Sequence, residues 1–329
     1  MGLMFISSRS QVRKTERDEE SERVLDALEE YLKEHKEELI GALLIFWADQ
    51  KTALVPDEVQ AMIENKEVSA PLLKAWGQDY SHLAKKILKP VWEGALEKGR
   101  KTAEGSKYLR EIPENSAFLD VNTLVLKWIR KHGAELVTNS TEAQKQAIQW
   151  LLAESVNQKM SAEQLAARIR QTIGLTKPQT VANQRYYINV LNMLKKEHPD
   201  MEEKAVLQRA YTAAEKYRQK QLKSRAFTIA RTEIAMAYNR GQDAAVRYYI
   251  KLGFMGPKVK KIFVAARGDR ACKRCKELDG KSANMDEDIT TVYSQIVRGK
   301  KLRRTAGTYI PPVHPCCACS LKYEEVKED

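Results

Sequence analysis

The sequence predicts a mainly α protein, with a long-helix N-terminal region followed by a small α+β C-terminal module that carries a Cys/His cluster. Three observations lead there. From Asp18 to Gly253, apolar residues recur at steps of three and four, with few Gly or Pro inside the runs. Beyond Gly253 the texture changes to short apolar runs separated by turns, as strands require. All five cysteines of the 329-residue chain fall between Cys272 and Cys319.

Residues 1–17 are polar and without period, and read as a flexible arm. A helical docking region follows over residues 18–158. Val24, Leu25, Leu28, Tyr31 and Leu32 predict a helix from Asp18 to Asp49. Its stretch from Leu39 to Trp47 is apolar on all sides, so that end should be buried or docked on a partner. Pro56 opens a short helix and Ser69-Ala70-Pro71 a longer one, because proline in the first turn forfeits no helical hydrogen bond. Pro90 predicts a kink, Gly99 and Gly105 predict breaks, and Pro113 to Ser116 a loop. A helix is expected over Leu119 to Leu136. A second, capped at Asn139-Ser140-Thr141-Glu142, should reach Asn157.

Residues 159–253 form a helical region ending in a long basic helix. Ser161-Ala162-Glu163-Gln164 is a capping signal for a short helix that stops at Gly174, and Pro178 opens another that stops before Pro199. From Met201 to Gly253 a continuous helix is expected. Phe227, Ala230, Ile234, Ala237, Gly241, Ala245 and Tyr248 share one face, where the small members let a partner helix come close. Arg225, Arg240 and Arg247 fall opposite, with Arg231 on the flank. In the α+β module of residues 254–329, strands are expected at Val259 to Ala266, around Phe263, and at Ser320 to Val326. A helix is expected over Met285 to Val297 and a very basic loop over Arg298 to Arg304.

The net charge of +12 is concentrated. Lys204 to Arg304 holds 25 Lys and Arg against 9 Asp and Glu, an excess of +16, while the rest of the chain sums to −4. A surface facing an anion follows, with nucleic acid or an acidic protein face the natural partners. No signal peptide is recognisable, and the longest apolar run is about half a membrane span. A soluble protein made in a reducing cytoplasm, with no membrane partner, is the expectation.

An odd number of cysteines argues against a closed disulfide framework. Cys272-x-x-Cys275 has the spacing of a zinc-binding turn, and His314-x-x-Cys317 repeats it. Cys319 competes with Cys317, and Cys316 is the spare thiol. The candidate metal ligands are therefore Cys272, Cys275, His314, Cys317 and Cys319, around a structural zinc that a module of about 75 residues needs to hold itself together. Reduced or partly disulfide-linked thiols are the alternative.

Enzyme signatures are lacking: no P-loop, no GxSxG and no HExxH occurs. His35-Lys36-Glu37 and Pro315-Cys316-x-x-Cys319 match the halves of a zinc deaminase signature, but they stand about 280 residues apart. The CxxC lacks the helix start and βαβ setting of a redox motif. Arg231, Thr232 and Glu233 point to different helix faces, so ion pairing is expected of them rather than catalysis.

The order of these pieces resembles the phage minor head proteins of the Mu F-like head-morphogenesis family. The helix elements are Arg231, Thr232, Glu233, Asn239 and Gly241, and the strand aromatic is Phe263. The first turn carries Asp269, Cys272, Cys275, Leu278 and Gly280. The closing segment carries Pro311, Pro312, His314, Pro315, Cys317 and Cys319. Ala318 departs from the family's usual Arg, and Cys316 adds a thiol at a variable position. The resemblance spans about residues 160 to 325. It implies a non-enzymatic structural component of the virion head, present in the host cytoplasm during assembly. Portal and scaffold proteins are its implied partners, with double-stranded DNA nearby. Only ten residues follow Cys319, so no appended catalytic domain is expected. A zinc-containing nucleic-acid-binding protein outside any virion is the competing reading.

Overall fold

The computed structural model describes residues 17–111, 119–158, 160–289 and 310–326. The expected arm, the loop at Pro113 to Ser116 and the basic loop at Arg298 to Arg304 lie outside them. Helix α1 spans Glu19–Ala53, and the Asp18 carboxylate caps it by accepting from the Ser21 amide at 2.8 Å. Helices α2 (Pro56–Asn65) and α3 (Ala70–Leu83) start at the expected prolines. One π turn, Ala84–Leu88, precedes Pro90 and leads into α4, Lys89–Glu104. The proline thus leaves its mark as a local widening of the helix, not a break.

Two expectations fail here. Gly99 does not break α4. Helix α5 runs unbroken over Leu119–Asn157, where the sequence suggested two helices. The cap signal at 139–142 goes unused, because the Thr138 and Thr141 hydroxyls bond back to the carbonyls of Ala134 and Val137 four residues earlier. The apolar stretch of α1 is buried on one side through Leu39, Leu43 and Trp47, but Ile45 stays 64% exposed.

Helix α6 (Ala162–Thr172) and α7 (Lys177–Glu197) begin with the capping boxes of Ser161/Gln164 and Thr176/Gln179. Helix α8, Glu203–Lys251, is the axis of the molecule. At 1.5 Å per residue its 49 residues run about 74 Å. Helices α1, α4, α5 and α7 all pack on it. Glycines set the closest crossing: a Cβ on Gly99 would lie 2.0 Å from the Tyr238 carbonyl, and one on Gly241 would lie 2.0 Å from the Leu96 carbonyl.

After α8 come strand β1 (Val259–Val264), the six-residue helix α9 (Lys273–Leu278), β2 (Ser282–Asn284) and β3 (Ser320–Glu325). They form an antiparallel sheet in the order β2-β1-β3, with Phe263 opposite Leu321. Met285 to Asp288 turn where a helix was expected, and most of that stretch lies outside the described residues. Phe263, Leu321 and Tyr323 share a core with Tyr249, Ala245 and Ala103. The N-terminal helix also holds the module: Lys322 donates to Asp18 at 2.5 Å, and Arg267 pairs with Glu22, Asp26 and Glu29.

The arginine face of α8 is not an open basic surface. Arg218 donates to the Ile173 carbonyl, and Arg225 donates to that of Gly174 while lying over the Trp47 ring. Arg247 pairs with Asp243 and Asp286. Periodicity set Arg225 and Arg247 opposite the small residues. It could not show that α1, α5 and the 173–174 turn cover that side too.

Glu233 does form an ion pair, but with His132 of α5 at 2.6 Å, and it also accepts from Trp92 Nε1 at 2.9 Å. Burial disfavours the charged imidazole. The Glu233 carboxylate outweighs it and raises His132 above its ordinary 6.5. A raised folded-state value means that this pair stabilises most below about pH 6.5 and fades as pH climbs through the raised value. His132→Gln should therefore flatten the fall in stability above pH 6.5, as measured by urea unfolding at a series of pH values.

Candidate metal centre

Two turns and one helix build the centre. Cys272 caps α9, and Cys275 lies within it, so the CxxC does stand at a helix start, contrary to the sequence expectation. Gly280 adopts φ +73, which glycine tolerates, and its amide bonds the Phe263 carbonyl at 2.9 Å. The Phe263 amide in turn bonds the Lys281 carbonyl at 2.8 Å, so the first turn is laid back along β1. The Asp279 carboxylate fastens it further by accepting from the Ala265 amide.

The second turn, at 314–317, closes with the Cys317 amide on the His314 carbonyl at 3.2 Å. It hangs on α8. Thr232 Oγ1 accepts from the Cys316 amide at 2.7 Å, and Asn239, fully buried, donates to the Cys319 carbonyl at 3.0 Å. Ser320 donates to Asn239 Oδ1 at 3.1 Å. Thr232 and Asn239 were legible only as elements of a resemblance. Their role as hangers for the cysteine turn becomes visible once both turns are placed. Asn239→Ala leaves the Cys319 carbonyl and Ser320 hydroxyl buried without this partner, and should cost about 1–3 kcal/mol in chemical denaturation.

The turns meet in space. His314 Nε2 lies 3.2 Å from Cys272 Sγ and 3.1 Å from Cys275 Sγ, and Cys275 Sγ lies 3.9 Å from Cys317 Sγ. The donor atoms form two triads that share Cys275: Cys272, Cys275 and His314 in one, Cys275, Cys317 and Cys319 in the other, with each triad's donor atoms within 4.8 Å of one another. All five candidate ligands are thereby gathered. Cys316 belongs to neither triad. It occupies the left-handed region at φ +65 and serves the turn through its backbone.

The donor set suits a metal. Zinc held by thiolates at about 2.3 Å and imidazole at about 2.0 Å would separate neighbouring sulfurs by roughly 3.8 Å, close to the 3.9 Å between Cys275 and Cys317, and would spread the His314 contacts from 3.1–3.2 Å to roughly 3.6 Å. His314 Nδ1 lies 2.8 Å from the Pro315 carbonyl, which places its proton there and leaves the Nε2 lone pair facing the thiols. Cys319 Sγ accepts from the Ala266 amide at 3.3 Å. The Cys275 sulfur lowers this thiol, but the neighbouring Cys317 sulfur together with burial holds it above its ordinary range, so it would lose its proton on binding a metal. The hydrogen bond between Cys275 and Cys317 pushes the first thiol up and holds the second well below its ordinary range, so one proton is shared among crowded sulfurs. Four protein donors would leave no open coordination position, the mark of a structural rather than a catalytic site.

Two Cys/His turns, hung on α8 through Thr232 and Asn239, clamp a small sheet to the long helix, and the family that matches this chain is one of phage head-related proteins. The chain belongs to the Phage Mu protein F like family, whose profile matches residues 146–322, more than half of its length. The match begins in α5 and ends in β3, so it takes in both cysteine turns and all of α8. Members of this family are structural and morphogenesis proteins, generally without enzymatic activity. A search of curated proteins and a search of solved structures each found no match. Among the described residues, no single helix is long and apolar enough to cross a membrane.

Proposed function

We propose that this protein is a structural minor component of the phage head, which acts in head morphogenesis by docking on the portal and other head or scaffold proteins. The observation that carries the proposal is the gathering of both Cys/His turns on α8 within the span matched by the family. In this reading the helices of residues 18–158 form the docking region, assembled in the host cytoplasm and retained in the virion. The module of residues 254–329 is the zinc-stiffened end that fixes the direction of α8. Zinc would be bound by Cys272, Cys275, His314 and one or both of Cys317 and Cys319. Mass spectrometry of purified heads, with pull-down of the portal protein by the tagged chain, tests it. Absence from heads and no portal recovery would refute it.

DNA contact in this reading falls on α7 and the facing turns of α8 around Arg209 to Lys220, not on Arg218, Arg225 and Arg247, which are engaged within the chain. There Tyr186 and Tyr217 pair at 4.8 Å beside Arg209, Lys216 and Lys220, and no acidic residue lines that groove. Exposed aromatic faces flanked by cations suit a nucleic-acid strand. Lys216→Ala with Lys220→Ala should lower the slope of log binding constant against log salt by about 2 in gel shifts, one unit for each phosphate no longer neutralised. An unchanged slope removes this surface from consideration.

A further inference from the structure

We propose that the cavity between α1, α3, α5 and α8 receives a carboxylate carried on an apolar peptide segment of another protein. The cavity encloses about 800 Å³. Its walls are apolar, with Leu43, Leu83, Leu136, Ile229 and Met236 among them. Its polar lining includes Trp47, Tyr80, Arg225 and Arg240 as donors, and Glu135 and Glu233 as its carboxylates. Trp47 and Tyr80 are 1% and 2% exposed; Trp47 Nε1 and Arg225 both face the Tyr80 hydroxyl, and no carbonyl or carboxylate among the described residues accepts from Trp47 or Tyr80. Burial raises the Tyr80 phenol above 10, so it keeps its proton to donate. Arg225 lies beside both rings and has two acceptors, the Gly174 carbonyl and the Tyr80 hydroxyl, for five N–H groups.

The charge of the cavity is also unbalanced. Glu233 is committed to His132 and Trp92, and Glu135 lies 4.0 Å from Lys131. Arg225 and Arg240 have no carboxylate partner among the described residues, and Arg240 Nε is buried without an acceptor. Burial pulls Arg225 below its ordinary value. A guanidinium fork flanked by an indole N–H and a phenol O–H is matched by a carboxylate, which has two oxygens to accept from them.

An inorganic anion would leave the apolar walls unused, whereas a chain end or an acidic side chain beside large apolar residues fills both parts. Charge argues against this chain's own residues 290–309, which precede Ile310 at the cavity edge in sequence. They contain five Lys and Arg and no Asp or Glu. The choice of a protein partner rests on the head-assembly reading. Incorporation into heads and occupancy of this cavity are measured separately, so either can fail alone.

The test is calorimetric titration of the full chain with N-acetyl-leucyl-phenylalanine as the free acid, with the same dipeptide as the C-terminal amide, and with inorganic phosphate. The acid should bind saturably and the amide about ten-fold more weakly, the value of a charge-assisted hydrogen-bond pair. Arg225→Gln should produce a similar loss for the acid and none for the amide. Arg240→Gln offers a second variant should the first not fold. Equal binding of acid and amide, phosphate binding as tight as the acid, or no binding of the acid would each overturn the proposal.

Discussion

Cys275→Ser is expected to strip the purified protein of zinc, from near one ion per chain to none detectable by elemental analysis. Cys275 is the donor common to both triads, so its loss leaves each of them one donor short and removes the link between them. Cys316→Ser should leave the zinc content unchanged, because that residue contributes its backbone to the turn and no donor atom to either triad. Structural zinc contributes on the order of 10 kcal/mol of binding free energy near neutral pH, most of it realised as folding. Melting should accordingly fall by roughly 10 °C or more on Cys275→Ser, and a chelator should do the same to the wild-type chain. The effect should not stay within the sheet, since Phe263, Leu321 and Tyr323 share their core with Tyr249 and Ala245 of α8. Cys317→Ser and Cys319→Ser should each retain part of the zinc, as either thiol can complete a set with Cys272, Cys275 and His314. A Cys275→Ser protein with full zinc and unchanged melting would dismiss the centre.

Much of this was legible from residue types. Period and capping residues located the helices because those signals are local: the Ser161/Gln164 and Thr176/Gln179 boxes close within three residues. The pairing of CxxC with HxxC was legible because metal chemistry restricts both residue type and spacing. What was not legible depends on tertiary neighbours. A cap signal at 139–142 looks the same whether a helix starts there or passes through, and only the packing of α5 on α3, α7 and α8 decides it. The excess of +16 suggested one basic surface, yet Arg218, Arg247, Arg267 and Arg270 are spent on carbonyls and carboxylates within the chain. Cys316, the spare thiol of the sequence reading, stays outside both triads on a left-handed backbone that spacing does not reveal, whereas Cys317 and Cys319 enter the same triad.

Gly99 shows how tertiary contact reverses a local rule, and it yields a sharp expectation together with Gly241. In an isolated helix, Gly→Ala would stabilise by about 1 kcal/mol. Here a Cβ on Gly241 falls 2.0 Å from the Leu96 carbonyl oxygen, and the obstacle is backbone, not a side chain that can swing away. Helices α4 and α8 would have to separate by about 1 Å, loosening the packing of Leu96, Ala237 and Tyr238 along the crossing. Overpacking of that kind costs about 3 kcal/mol or more, which outweighs the propensity gain. Gly241→Ala should therefore lower the melting temperature by roughly 5 °C, and Gly241→Val by more. Gly99→Ala should behave alike, since its Cβ meets the Tyr238 carbonyl at the same 2.0 Å. The double variant should cost less than the sum of the singles by about 1 kcal/mol, because one separation of the helices accommodates both methyl groups. Strict additivity in denaturant unfolding would mean that the two glycines relax independently, and the α4–α8 crossing would not be the rigid joint on which the cysteine turns hang.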